Sequence, residues 1–209
     1  PWPLVIAKSP TLQQGTLTEA ALTLALRLFI QAEKFEQAQQ AMDGLEAQAG
    51  TGEDASAKLT AMYFSMGRDL QNQLEQLGAG KPNDPQVRAR AQKILGGFEK
   101  FLDRVAARDS KISSQFWVAT TFLTLGSGKG TGAIVPADKA SQYLERAAEV
   151  YAKLLEKTAD PEVARFEPSI RLRMASIYQE LRQWDEAQKQ IDWILADSKR
   201  QNSLDTQIQ

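Results

Sequence analysis

The chain reads as an all-α protein of about eight helices in four consecutive antiparallel pairs. Three observations predict this. Ala, Leu, Gln, Glu, Lys and Arg dominate, Val and Ile are few, and charges of both signs are interspersed, as in helices that keep one solvated face. Apolar residues recur three and four positions apart in segment after segment, broken by Gly and Pro clusters. The stretch from Ile170 to Ala196, IRLRMASIYQELRQWDEAQKQIDWILA, holds two short amphipathic helices joined by a tight turn, and LTLALRLFIQAEKFEQAQQAMDGLEA near the start is a weaker copy of it.

Pro1 to Gln14 contains three prolines and the apolar patch Leu4, Val5, Ile6, which predicts an extended arm lying against the first helices. From Leu17 the period turns helical, with Thr18 as N-cap and Leu22, Ala25, Leu26, Phe29 and Ile30 on one stripe. A second helix places Phe35, Ala38, Met42 and Leu45 on one face and ends at Ala49 and Gly50. After a turn at Thr51 to Asp54, Leu59, Met62, Met66, Leu70, Leu74 and Leu77 mark a helix of about 25 residues, on the order of 37 Å long. Gly78 to Pro85 breaks it, and Val87, Ala91, Ile94, Leu95, Phe98, Leu102 and Val105 carry the next helix to about Arg108.

The fifth helix, from about Ile112 to Leu125, is apolar almost all round and must be central or line a groove. Gly126 to Gly132, GSGKGTG, then reads as a flexible insertion. The sixth helix begins near Ala137 and shows Ala140, Leu144, Ala147, Tyr151, Leu154 and Leu155. Asp160 and Pro161 open a connection through Pro168, followed by helices at about Ser169 to Leu181 and Trp184 to Asp197, and the polar end is expected to fray. Links this short make each helix run back along the one before it.

The 209 residues fit one domain or two small ones, and a formal net charge of −1 gives no general attraction to nucleic acid or to an anionic membrane. There is no Cys and no His, which removes disulfides, thiolate nucleophiles, the commonest general base and the commonest transition-metal ligands. No cofactor or metal is expected. No run approaches the roughly 20 apolar residues of a membrane span, so a soluble protein without membrane insertion is expected, with cytoplasm and periplasm both open. A start at Pro1 predicts a piece of a longer protein or a mature form.

A repeat emerges when Ala187 is taken as an anchor: Ala175 and Tyr178 precede it, with Trp184, Asp185 and Glu186 in the turn. Around Ala38 the matching places hold Leu26, Phe29, Phe35, Glu36 and Gln37. Around Ala140 they hold Val118, Ala119, Phe122 and Gly126, with the glycine loop inserted. In this pattern the chain resembles the tetratricopeptide repeat family, in which small, aromatic and small residues recur about every 34 residues. The match is good over 168–199, fair over 19–50 and partial over 112–158; residues 53–108 fit only as a stretched pair without the signature. The domain plan is then an arm over 1–16, a repeat domain over 17–199 and a polar tail over 200–209. An ordinary helical bundle is the alternative.

The resemblance implies a right-handed α-solenoid in which the first helix of each pair lines a concave, partner-binding surface. By register that surface holds Thr23, Leu24, Arg27, Phe116, Trp117, Thr120, Leu172, Arg173, Ser176 and Gln179, with Phe116 and Trp117 of most interest because Trp is enriched at binding hot spots. Both could instead simply pack against neighbouring helices. Family members that grip a terminal carboxylate use paired Lys, Asn and Arg, a set missing at Thr23, Arg27, Leu172 and Ser176, so chaperone-tail recognition is not expected. Trp193 and Ile194 on the last helix have no following helix to cover them and mark a docking end face, where further repeats or a second copy would pack.

Other motifs fail as chemistry. GSGKGTG lacks the Gly, the Ser or Thr and the preceding strand of a phosphate loop. Asp185 and Glu186, like Asp103 and Asp109, read as solvated surface, as do Ser113 and Ser114 near Lys111. The expectation is a non-catalytic scaffold that binds a peptide or protein on its concave face, and the alternative is a structural or self-associating segment.

Overall fold

The computed structural model describes residues 15–49, 53–80, 84–108 and 111–196. Of the arm expected over 1–16, residues 1–14 lie outside them, while Gly15 and Thr16 are not extended but open the first helix; Asp109 and the tail over 200–209 also lie outside. Among the described residues there are eight α-helices and no strand: α1 (Gly15–Gln31), α2 (Phe35–Ala49), α3 (Glu53–Ala79), α4 (Pro85–Arg108), α5 (Ile112–Gly126), α6 (Ala137–Leu155), α7 (Pro161–Glu180) and α8 (Trp184–Leu195). A 3₁₀ turn, Gly130–Ile134, lies between α5 and α6. No helix among the described residues is long and apolar enough to cross a membrane.

The chain divides into two compact units, Pro1–Asp103 and Arg104–Gln209. In the first, α1 packs on α2 and both meet α3. The stripe Leu22, Leu26 and Ile30 of α1 is buried, as are Met42 and Leu45 of α2, Tyr63, Met66, Leu70 and Leu74 of α3, and Ile94, Phe98 and Leu102 of α4. Burying large apolar side chains contributes about 1.5 to 3 kcal/mol each. Gly97 on α4 has no Cβ because the Phe35 ring lies where one would be, within an apolar recess also lined by Ile30, Met42, Met66, Leu70 and Phe101.

The second unit is built on α5 and α6, which pack together most extensively, with α7 on α6 and α8 on α7. Gly126 allows the close approach: a Cβ there would lie 2.6 Å from Leu144 Cγ and 2.9 Å from the Ala140 carbonyl oxygen. Phe122, Leu125, Tyr143, Ala147, Tyr151 and Leu154 fill the α5–α6 contact. Phe122 stacks on Tyr143 with centroids 6.0 Å apart, and the Arg146 guanidinium covers the Phe122 ring at 4.3 Å.

The α1–α2 and α7–α8 turns share one hydrogen-bond pattern. Glu33 and Arg182 take left-handed conformations, φ 55° and 58°. The amides of Glu33 and Lys34 donate to Ile30 and Phe29, and those of Arg182 and Gln183 donate to Gln179 and Tyr178. This crossed pair of bonds at a helix C-terminus is the Schellman motif. It aligns Phe29 with Tyr178, Phe35 with Trp184 and Ala38 with Ala187.

Three local expectations are corrected. Thr18 is not an N-cap; α1 begins at Gly15 and Thr18 is buried inside it. The connection over Asp160 to Pro168 is helix: Asp160 caps α7 by accepting from the Glu162 amide at 2.9 Å, Pro161 occupies the first turn, and Pro168 lies within the helix. The glycine insertion is packed at its far end. Gly132 is buried, a Cβ on it would lie 2.5 Å from the Thr124 carbonyl oxygen, and Ile134 is buried.

Candidate binding surface

In the second unit, α5, α6 and α7 bring together aromatic rings, a guanidinium and two hydroxyls. The Phe116 ring of α5 sits edge-on to Tyr151 of α6 and tilted against Phe166 of α7, both at 5.8 Å between centroids. From α7, Arg173 lies over the Phe116 ring at 5.4 Å. Thr120, one turn along α5 from Phe116, has its hydroxyl 2.9 Å from that of Tyr151. Two hydroxyls sharing one hydrogen bond leave one hydrogen to be donated elsewhere.

Arg173 has no carboxylate partner among the described residues, and its Nε is buried without an acceptor. The guanidinium also stands beside the Tyr151 hydroxyl, whose pKa it acts to lower. Burial raises the Tyr151 phenol above its ordinary value, while the Thr120 hydrogen bond and the nearby Arg173 oppose this. Beside the cluster, Phe166 and Leu172 are 39% and 37% exposed, so apolar surface flanks the cation.

Of the sequence candidates, Phe116, Thr120 and Arg173 converge here, and Leu172 borders them. Trp117 is half-buried next to Phe116 on α5. Ser176 and Gln179 continue along α7 in exposed positions, the Ser176 hydroxyl donating back to the Leu172 carbonyl at 3.2 Å. Thr23, Leu24 and Arg27 belong to α1 in the other unit. The Thr23 hydroxyl donates to the Glu19 carbonyl at 2.8 Å, Leu24 is 60% exposed and Arg27 is exposed.

Two members of the cluster were not among the sequence candidates. Phe166 lies in the segment that its prolines mark as a connection, and Tyr151 shares the spacing of core residues. Neither periodicity nor composition distinguishes a ring that meets an arginine from one that meets leucines.

The end face is corrected. Ile194 is 3% exposed, and Trp193 lies under the Arg171 guanidinium, 4.1 Å from its ring centroid. Arg171 also donates to Glu167 and to Gln190, both at 2.9 Å, which ties α7 to α8. The tryptophan left open is Trp184, 61% exposed. Residues 184 and 193 are nine positions apart, and at about 100° per residue that is two and a half turns, so the two rings lie on opposite faces of α8.

No cluster of three or more potential metal ligands occurs among the described residues. No protein-family model, curated protein or solved structure matches the chain.

Proposed function

We propose that the chain is a tetratricopeptide-like, right-handed α-solenoid of antiparallel helical pairs that acts as a non-catalytic scaffold for a peptide or protein partner. The observation that carries the binding role is the surface of Phe116, Phe166 and Arg173, where an arginine without a carboxylate stands beside exposed apolar side chains. Aromatic and arginine side chains together are the composition of binding hot spots. The matched turns at Glu33 and Arg182 support the repeat, because the same hydrogen-bond pattern stands at equivalent places around Ala38 and Ala187. The chain's lack of His and Cys favours binding over catalysis.

Selection of a random displayed peptide library on the protein tests this, followed by titration calorimetry of the enriched peptides. A Phe166→Ala, Arg173→Gln variant should lose at least about tenfold in affinity, the range of a hot-spot pair. Unchanged affinity, or no enrichment at all, would sink the reading.

A second reading, a structural segment that packs against further helices or a second copy, is favoured by one observation: Trp184 and Leu195 stand exposed on the same face of the last described helix.

A further inference from the structure

The two matched turns permit a direct comparison of what covers α2 and what leaves α8 open. The alignment that pairs Phe35 with Trp184 also pairs Met42 with Ile191 and Glu46 with Leu195. These positions recur at i, i+7 and i+11, so they share one face of each helix. On α2 that face is covered. Phe35 rests on Gly97 of α4, Met42 is buried in the same recess, and Glu46 accepts from the Tyr63 hydroxyl of α3 at 2.6 Å. On α8 the corresponding face is open, with Trp184 61% and Leu195 54% exposed and Ile191 half-buried between them.

The turn residues differ in charge at the equivalent position. Glu33 pairs with Arg90 and Lys93, which precede Gly97 on α4 by two turns and one turn. Arg182 occupies its place in the second unit, exposed and without an ion pair among the described residues. A helix crossing the start of α8 as α4 crosses the start of α2, where Phe35 meets Gly97, would therefore need acidic residues where α4 has Arg90 and Lys93. The α4 of a second copy does not fit. It would bring two cations to Arg182, and its glycine seat is already filled by Phe35.

We infer that the Trp184, Ile191 and Leu195 face of α8 docks an amphipathic partner helix carrying acidic residues at i and i+3, a Gly or Ala at i+7 that receives the Trp184 ring, and a large apolar residue at i+11. That last position is the place of Phe101, which lines the recess with Phe35 and Met42. The small residue is required because a ring seated on a helix backbone leaves no room for a Cβ, as at Gly97. The acidic pair matches Arg182 as Arg90 and Lys93 match Glu33. This surface is separate from the Phe116, Phe166 and Arg173 cluster, and the two can be tested independently.

The probe is a labelled, end-capped peptide of residues Pro85 to Arg104 carrying Arg90→Glu and Lys93→Glu, compared with the unaltered peptide by fluorescence anisotropy against the full chain. The acidic peptide should bind at least about tenfold more tightly than the basic one. Arg182→Glu should reverse that preference, and Trp184→Ala should weaken the acidic peptide at least about tenfold. Trp184 is at the surface, so its removal leaves the core intact. Absence of binding by the acidic peptide, or binding indifferent to both variants, overturns the inference. Concentration-dependent sedimentation of the wild type that Trp184→Ala abolishes would identify a second copy as the occupant and equally overturn it. Peptides selected from a library through Phe166 and Arg173 should be unaffected by either variant, which keeps the two readings distinguishable.

Discussion

At the residue scale, most of the distinctive features are places where a common side chain is held in an uncommon state. Arg182 adopts a left-handed conformation that favours glycine, exposed and without an ion pair among the described residues to offset the strain. Arg182→Gly should therefore raise the unfolding free energy by about 0.5 to 1 kcal/mol in a denaturant titration, the strain relieved less the entropy of glycine. Glu33→Gly relieves the same strain but loses the pairing with Arg90 and Lys93, so its gain should be smaller. Gly126→Ala should cost about 1 to 3 kcal/mol, because the added methyl meets Leu144 and the Ala140 carbonyl. Tyr151 gives a pH signature. Burial raises its phenol above the ordinary 10.0, so the folded state holds that proton longer than the unfolded chain. Its contribution is fully present below about pH 10 and is lost as the pH rises through the folded value. Tyr151→Phe should flatten that part of the alkaline decline while costing about 0.5 to 1.5 kcal/mol at neutral pH through the lost Thr120 hydrogen bond.

At the element scale, helices were legible wherever apolar period and breakers agreed. The spans of α4 and α6 follow the sequence pattern, since Pro85 opens one and Pro136 and Ala137 open the other. The sequence misleads where a residue type carries two meanings. Pro161 and Pro168 read as a connection, yet proline is welcome in a first turn, and α7 continues through the second one at the cost of a backbone hydrogen bond to Ala164. Pro168→Ala should then stabilise α7 by about 1 to 3 kcal/mol, read from thermal unfolding. Glycine likewise signals both looseness and close packing, and Gly132 belongs to the second case. Counting helices does not say which face of the last one points inward, and so does not separate exposed Trp184 from Trp193. Trp193 lies under Arg171 where the equivalent place in α2 holds Gly44, against which Leu22 packs. The candidate surface was half legible: register found Phe116, Thr120 and Arg173, while Phe166 and Tyr151 required the packing of α7 on α6.

At the scale of the whole molecule, the chain is two compact helical units whose surfaces carry a few uncovered aromatic and apolar groups amid mixed charge. With no histidine in 209 residues, no unperturbed side chain changes charge between about pH 6 and 8, so the denaturation midpoint should stay flat across that range. The central claim is that α5 and α7 present the partner-binding surface. Its most direct measurement is nuclear magnetic resonance mapping of the isotope-labelled chain titrated with a library-selected peptide. Saturable shifts should concentrate on Phe116, Thr120, Phe166, Leu172 and Arg173 and vanish in the Phe166→Ala, Arg173→Gln variant. Shifts that cluster elsewhere, or that persist unchanged in that variant, would contradict the account.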